Sequence, residues 1–128
     1  MEVISHKKEI IDLKNEAVAR ALEAIGIQAE SDVVKVITEK RIVDTGRLRD
    51  SITYKTARGG DSAKGAARSG DEVQGSPDKD SVYIGTNVEY AAYHEYGTSR
   101  IVARPYLKPG IMNNLSTYKE IAKKMLSS

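Results

Sequence analysis

Apolar side chains recur at helical spacing along residues 5–40. Ile4, Ile11, Val18, Leu22, Ile25, Ala29, Val33 and Val36 follow one another at steps of 7, 7, 4, 3, 4, 4 and 3, which places them on one face of a helix. Ser5 is an acceptable N-cap. Glu16 and Arg20 stand four apart in the favoured order. Gly26 interrupts the stripe. An interior glycine costs about 1 kcal/mol relative to alanine, and it either admits a neighbour at close range or marks a break. The stripe keeps its phase across Gly26, so the pattern predicts one helix. A helix of about 35 residues would be roughly 50 Å long. That exceeds the width of a globule of this size, whose radius of gyration is ~14 Å. Part of the helix should then project, and its apolar face would call for a partner.

After the helix the period changes. Residues 51–56 alternate, with Ile52 and Tyr54 on one side, and read as a half-buried strand. Residues 81–86 have strand propensity throughout. Between them, residues 58–80 hold five glycines, one proline and no large apolar residue except Val73. That composition predicts a flexible loop closing an antiparallel hairpin. Residues 87–97 read as a short helix, with Asn87 as N-cap and Gly97 as the stop. Ile101, Val102 and Ala103 suggest a short extended piece. Pro105 suits the first turn of a last helix, and Pro109 delays regular helix until about Gly110. Ile111, Leu115, Tyr118, Ile121 or Ala122, and Met125 supply its apolar stripe. The order predicts an α+β fold: a long N-terminal helix and a C-terminal helix packed on a small antiparallel sheet. One domain over 1–128 is expected, with the loop at about 58–80.

Composition sharpens this picture at one place. Five of the seven tyrosines lie in residues 82–109, and the chain has no Trp or Phe. Tyr83, Tyr90, Tyr93 and Tyr96 are therefore expected to form the core and its rim. The chain has no cysteine, which excludes disulfides and thiolate metal sites. The start MEVISHKKEI has no long apolar run, so no signal peptide is expected. No stretch approaches the ~20 apolar residues of a membrane span. Net charge is +2. Residues 81–128 carry six basic and three acidic side chains, a bias that a DNA or acidic partner would favour and that a solvated helix face also explains.

Candidate chemistry falls away on inspection. Asp44-Thr45-Gly46 has the letters of an aspartic protease loop, but such a carboxyl must hold a proton beside a second carboxylate. Arg47 and Arg49 would keep it ionised, and a turn or a helix cap is the simpler reading. His94-Glu95 begins H-E-x-x-H, but Thr98 stands where the second His belongs. Ser51, Ser99 and His94 lack a G-x-S-x-G setting. No catalytic, cofactor or metal site is expected. Tyr96, Arg100, Arg104 and Tyr106 have the types that stack on nucleic-acid bases, which leaves a DNA-binding accessory module as the alternative function.

Two segments carry a resemblance. VDTGRLRDSI over 43–52 and VYIGTNVEYAAYHEYGTSRIVARPYLKPGI over 82–111 resemble the tail-component family of siphophages and their prophages, whose members act at the head–tail joint as neck or tail-completion proteins. The motif positions are Asp44, Thr45, Gly46, Leu48, Ser51 and Ile52, then Gly85, Thr86, Tyr90, Ala91, Glu95, Tyr96, Gly97 and Thr98. Ala103, Arg104, Pro105, Tyr106 and Leu107 complete them. Ile42 stands where many members have proline, and the 58–80 loop is long for the family. The resemblance implies a structural, non-enzymatic virion protein without cofactors. Its partners would be phage connector and tail proteins, in an oligomeric ring around the DNA channel with non-specific DNA contact and no membrane. It would reside in the host cytoplasm before assembly and in the neck or tail afterwards. Within the motifs, Glu95 is expected to pair with Arg104 or Arg47 and so fix the bend at Gly97.

Overall fold

The computed structural model describes residues 2–5, 8–12, 19–40, 45–57, 69–79, 81–88, 90–97, 99 and 105–126. Its first elements correct the expected helix. Residues before the helix form two strands, β1 (Glu2–Ser5) and β2 (Lys8–Asp12), paired antiparallel with Ser5 opposite Lys8. Val3-Ile4 and Ile10-Ile11 are β-branched pairs, which lose side-chain freedom in a helix and fit a pleated ladder. A ladder is available. β2 pairs antiparallel with β4 (Ser81–Gly85), from Lys8↔Gly85 to Asp12↔Ser81. β4 also pairs antiparallel with β3 (Thr53–Thr56) on its other side. The sheet order is β1-β2-β4-β3, so β4 is central, and the expected hairpin is its right-hand half.

Helix α1 (Ala19–Lys40) has 22 residues and is about 33 Å long. The projecting 50 Å helix is thereby overturned, and with it the case for assembly drawn from helix length. From Leu22 onward the stripe is as expected: Leu22, Ile25, Ala29 and Val33 are buried. At the end Ile37 takes the buried place and Val36 stays half-buried. α1 runs against β3 and β4 and meets α2 (Thr45–Ser51), α4 (Leu107–Met112) and α5 (Leu115–Leu126). With α3 (Ala91–Tyr96) these make an α+β fold around one core, in which Leu48, Ile52, Tyr54, Val82, Ile84, Tyr106 and Ile111 close on α1.

Two glycines set how near the layers come. A Cβ on Gly26 would lie 2.5 Å from Cδ2 of Tyr54 and 2.7 Å from its Cγ. Gly26 is thus the point of close approach, to an aromatic ring rather than to a backbone. A Cβ on Gly110 would lie 3.0 Å from Cα of Val33, so α4 rests almost directly on the α1 backbone. Pro109 sits inside the first turn of α4, where its missing N–H is no loss. Helix therefore begins before Gly110, contrary to expectation. The break falls instead at Asn113 and Asn114, where the Asn114 amide donates to Gly110 O at 2.7 Å.

The tyrosine expectation is corrected as well. The buried rings are Tyr54, Tyr106 and Tyr118, while Tyr93 and Tyr96 are 51% and 49% exposed. Gly46 lies within α2, and the left-handed glycines among the described residues are Gly70, Gly75 and Gly97. Thr45 and Gly46 therefore open a helix, with Gly46 in ordinary backbone. Part of the long loop is packed too: Asp71, Val73 and Pro77 are buried. Residues 58–68 and 101–104 lie outside the described residues.

Substituting Gly26→Ala sets a helix-propensity gain of about 1 kcal/mol against overpacking of about 1–3 kcal/mol. The Tyr54 contact is at the ring base, which has little room to turn aside. Stability should fall by up to about 2 kcal/mol, read as a lower urea midpoint. In a Tyr54→Ala background the same substitution should become stabilising.

Candidate functional site

The motif segments meet in three polar clusters. The first joins α2 to the end of β4. Ser51 is buried and donates to Leu48 O at 2.6 Å. Its hydroxyl proton is then committed, so Thr86 is the donor in the 2.6 Å contact between the two hydroxyls. Thr86 Oγ1 also accepts from the Val88 N–H at 3.0 Å. That turns the chain out of the sheet towards α3. Leu48 lies wholly in the core, and Gly85 is the buried last residue of β4.

The second cluster holds the arm 69–79. Arg47 donates from Nε and Nη2 to the two carboxylate oxygens of Asp71, each at 2.9 Å. This is the two-pronged geometry that makes an arginine–carboxylate pair strong. The guanidinium lies 5.7 Å from the centroid of the Tyr90 ring, within cation–π range. Asn87 donates its backbone N–H to Asp71 O at 2.7 Å and its side-chain amide to Gly70 O at 3.0 Å. Asn87 was expected as the helix N-cap, but its amide is engaged with the arm. The N-cap is Tyr90, without a side-chain cap bond.

In the third cluster the expected Arg47 partner of Glu95 is replaced by backbone amides, while the Arg104 alternative falls outside the described residues. The Glu95 side chain is buried and accepts three backbone N–H groups: Tyr106 at 3.1 Å and Leu107 at 3.0 Å on Oε1, and Lys108 at 3.2 Å on Oε2. These are the free amides at the start of α4, which has no side-chain cap of its own. A carboxylate there satisfies unpaired donors and meets the positive end of the helix dipole. Arg47 is engaged by Asp71, and Arg104 lies outside the described residues, as do Asp44 and Thr98. Tyr106 completes the clasp by donating its hydroxyl to Ala91 O at 2.9 Å. Gly97 ends α3 at φ 78 with its N–H on Tyr93 O, as expected of a helix stop. Pro105 O accepts from Lys40 Nζ at the end of α1.

Of the expected site residues, the fold brings Leu48, Ser51, Gly85, Tyr90, Glu95, Gly97, Pro105 and Tyr106 into or beside this clasp. Thr45 and Gly46 open α2. Tyr96 is half-exposed. Asp71 and Asn87 were missed, because a loop aspartate and a capping asparagine look alike in any sequence. Asp32 was missed too: it accepts from the Tyr118 hydroxyl at 2.7 Å and fastens α5 to α1. Tyr106, one of the proposed base-stacking rings, is fully buried and cannot face a nucleic acid. Among the described residues there is no group of three or more His, Cys, Asp and Glu side chains placed to hold a metal. None of their helices is long and apolar enough to cross a membrane.

The clusters hold the elements of the fold together. A family model described as "Bacteriophage HK97-gp10, putative tail-component" matches residues 3–97, and the chain belongs to that HK97-gp10-like family. It is a phage tail component. No curated relative and no solved structure matches the chain.

Reversing the charge, Glu95→Lys, should destabilise the fold by about 3 kcal/mol or more, because three buried amides lose their acceptor and face a cation. Glu95→Gln keeps one acceptor oxygen and should cost on the order of 1–2 kcal/mol. Chemical denaturation of both variants checks the order. A second outcome concerns pH. Burial first, then the Glu95 carboxylate and Tyr90, push the Tyr106 phenol far above its ordinary range. Burial first, then Asp32, does the same for Tyr118. An unfolded tyrosine ionises near pH ~10, so above that pH the unfolded chain releases protons that the folded chain keeps. Stability is therefore undiminished by these groups below about pH 10 and should fall as pH rises beyond it. Tyrosinate absorbance should show two rings ionising only as the chain unfolds.

Proposed function

We infer that this tail component acts in head–tail joining or tail completion, working as an oligomeric ring between the connector side and the tail. The observation that carries the reading is the placing of Tyr93 and Tyr96. Glu95 and Tyr106 clasp α3 to α4, and this holds two half-exposed tyrosines three residues apart on α3. Tyrosine is a residue of interface cores, where it supplies large area at small entropic cost. A ring needs each subunit to offer two different patches, and α3 would supply one. The partners in this reading are phage connector and tail proteins and further copies of the chain, with non-specific DNA contact in the channel. The chain would act as one domain over 1–128, made in the host cytoplasm and carried into the virion. No catalytic step and no cofactor enters the reading.

Purified chain mixed with the connector or tail-tube protein should co-elute as a complex. A Tyr93→Ser/Tyr96→Ser variant should lose that complex while keeping its denaturation midpoint, since neither ring is in the core. Particles made without the protein should show separated heads and tails, or tails of abnormal length. Absence of any association, with itself or with either neighbour, would overturn the proposal.

A further inference from the structure

The net charge of the chain is carried by α5. The chain has 20 basic and 18 acidic side chains, a net +2. Within α5, Lys119, Lys123 and Lys124 stand against Glu120 alone, so the charges of the remaining residues cancel in sum. These four side chains are exposed. The inner face of the helix is set by Tyr118 and Ala122, which are buried towards α1, and the Tyr118 hydroxyl donates to Asp32 there. At roughly 100° per residue, Lys119 lies about 100° around from Tyr118, Lys123 about 140° and the exposed Ser116 about 160°. Spaced three and four residues apart, Ser116, Lys119 and Lys123 form one row down the outer flank of α5.

Helix stability does not account for this row. A cation in the last turn meets the negative end of the helix dipole, which explains Lys123 and Lys124. It does not explain Lys119, a turn earlier. Lys119 and Lys123 are like charges four apart, which repel on a helix. Among the described residues neither meets a carboxylate. A polyanion outside the chain would relieve that repulsion.

The residue types say which polyanion. Lysine is depleted from protein–protein contacts, in which tyrosine is enriched, so α5 and α3 suit different partners. α5 has no Arg, Asn or Gln, the side chains that read base edges through paired hydrogen bonds. Lysine is a point charge on a flexible stem and meets phosphate without fixing its geometry. Ser116 adds a hydroxyl of the kind that bonds phosphate oxygens. The row is about 10 Å long, the axial span of about three phosphates on one DNA strand.

We propose that the row Ser116, Lys119 and Lys123 contacts the phosphate backbone of double-stranded DNA without regard to sequence. This rests on the ring proposed above, in which α5 is the helix turned to the channel. The test follows binding of the purified protein to a fluorescent DNA duplex by anisotropy across a salt series. Each phosphate neutralised contributes about −0.9 to the slope of log affinity against log salt. Lys119→Gln/Lys123→Gln should therefore flatten the slope by about 1.8 for each subunit engaged, and weaken low-salt binding by at least about tenfold. Lys119→Arg/Lys123→Arg should retain both slope and affinity. Glutamine and lysine have similar helix propensity, so the denaturation midpoint should hold and lost binding is not lost fold. A second duplex of unrelated sequence should bind as well as the first.

No binding by the unaltered chain at low salt, or strong preference for one duplex sequence, would overturn the proposal. So would a glutamine variant that keeps its DNA affinity and loses its complex with the connector or tail-tube protein, since the row would then serve an acidic protein surface. A chain that joins neither itself nor its neighbours removes the ring reading and the channel with it. An assembling chain whose glutamine variant binds DNA with unchanged slope removes this proposal alone.

Discussion

The Glu95 carboxylate does something that nothing else described in the fold can do. It sits buried against the first turn of α4 and accepts the amides of Tyr106, Leu107 and Lys108. Without it those donors would be buried and unpaired, which costs far more than a neutral hydrogen bond gains. The consequences run outward from this contact. α4 is held where Gly110 can rest on the backbone of Val33. From there Tyr118 reaches both Gly110 O and Asp32, so α5 is registered against α1 through the same corner. A buried charge is expensive to desolvate, and three backbone donors plus a helix dipole are what offset it here.

Much of this architecture is legible in the residues, and the failures have physical causes. The stripe from Leu22 to Val33 marks α1 because its period is carried by about three turns of consistent spacing. Ile4 and Ile11 fall on the same period by coincidence, since a step of seven fits a helix and two isolated apolar pairs equally well. Only the partner strand β4, remote in sequence, decides between them. Gly97 could be read as a stop because positive φ demands glycine. Glu95 could be seen to matter but not to cap α4, because a carboxylate seeking positive charge finds arginines in the sequence, while backbone amides are invisible there. The tyrosines misled for a similar reason. Ring count says how much aromatic mass exists, and the helix phase of α3 says where it points.

The motif segments show how long spaced patterns can serve to hold a frame. Ser51 spends its hydroxyl proton on Leu48 O, and Thr86 spends its own on Ser51. Arg47, Asp71 and Asn87 fix the arm, and Glu95 and Tyr106 fix the corner between α3 and α4. Each of these bonds is directional, and each replaces a contact that apolar packing would leave free to slide. A part that must meet others at a set angle gains from that, because its surface is then presented by a frame with few soft modes.

The same logic dictates which side chains reach the surface of α3. The helix is six residues long, so its faces follow from one anchored position. Ala91 and Glu95, four apart, stand almost above one another, and both are buried. At roughly 100° per residue, Tyr93 lies about 200° around from Glu95 and Tyr96 about 100°. Neither can turn inward while Glu95 caps α4. Exposure of the two rings is therefore imposed by the buried carboxylate and is not an accident of incomplete packing. A chain that lacks Phe and Trp has left two of its seven large rings half-exposed. The clasp that keeps them there supplies the rigidity with which a partner would meet them.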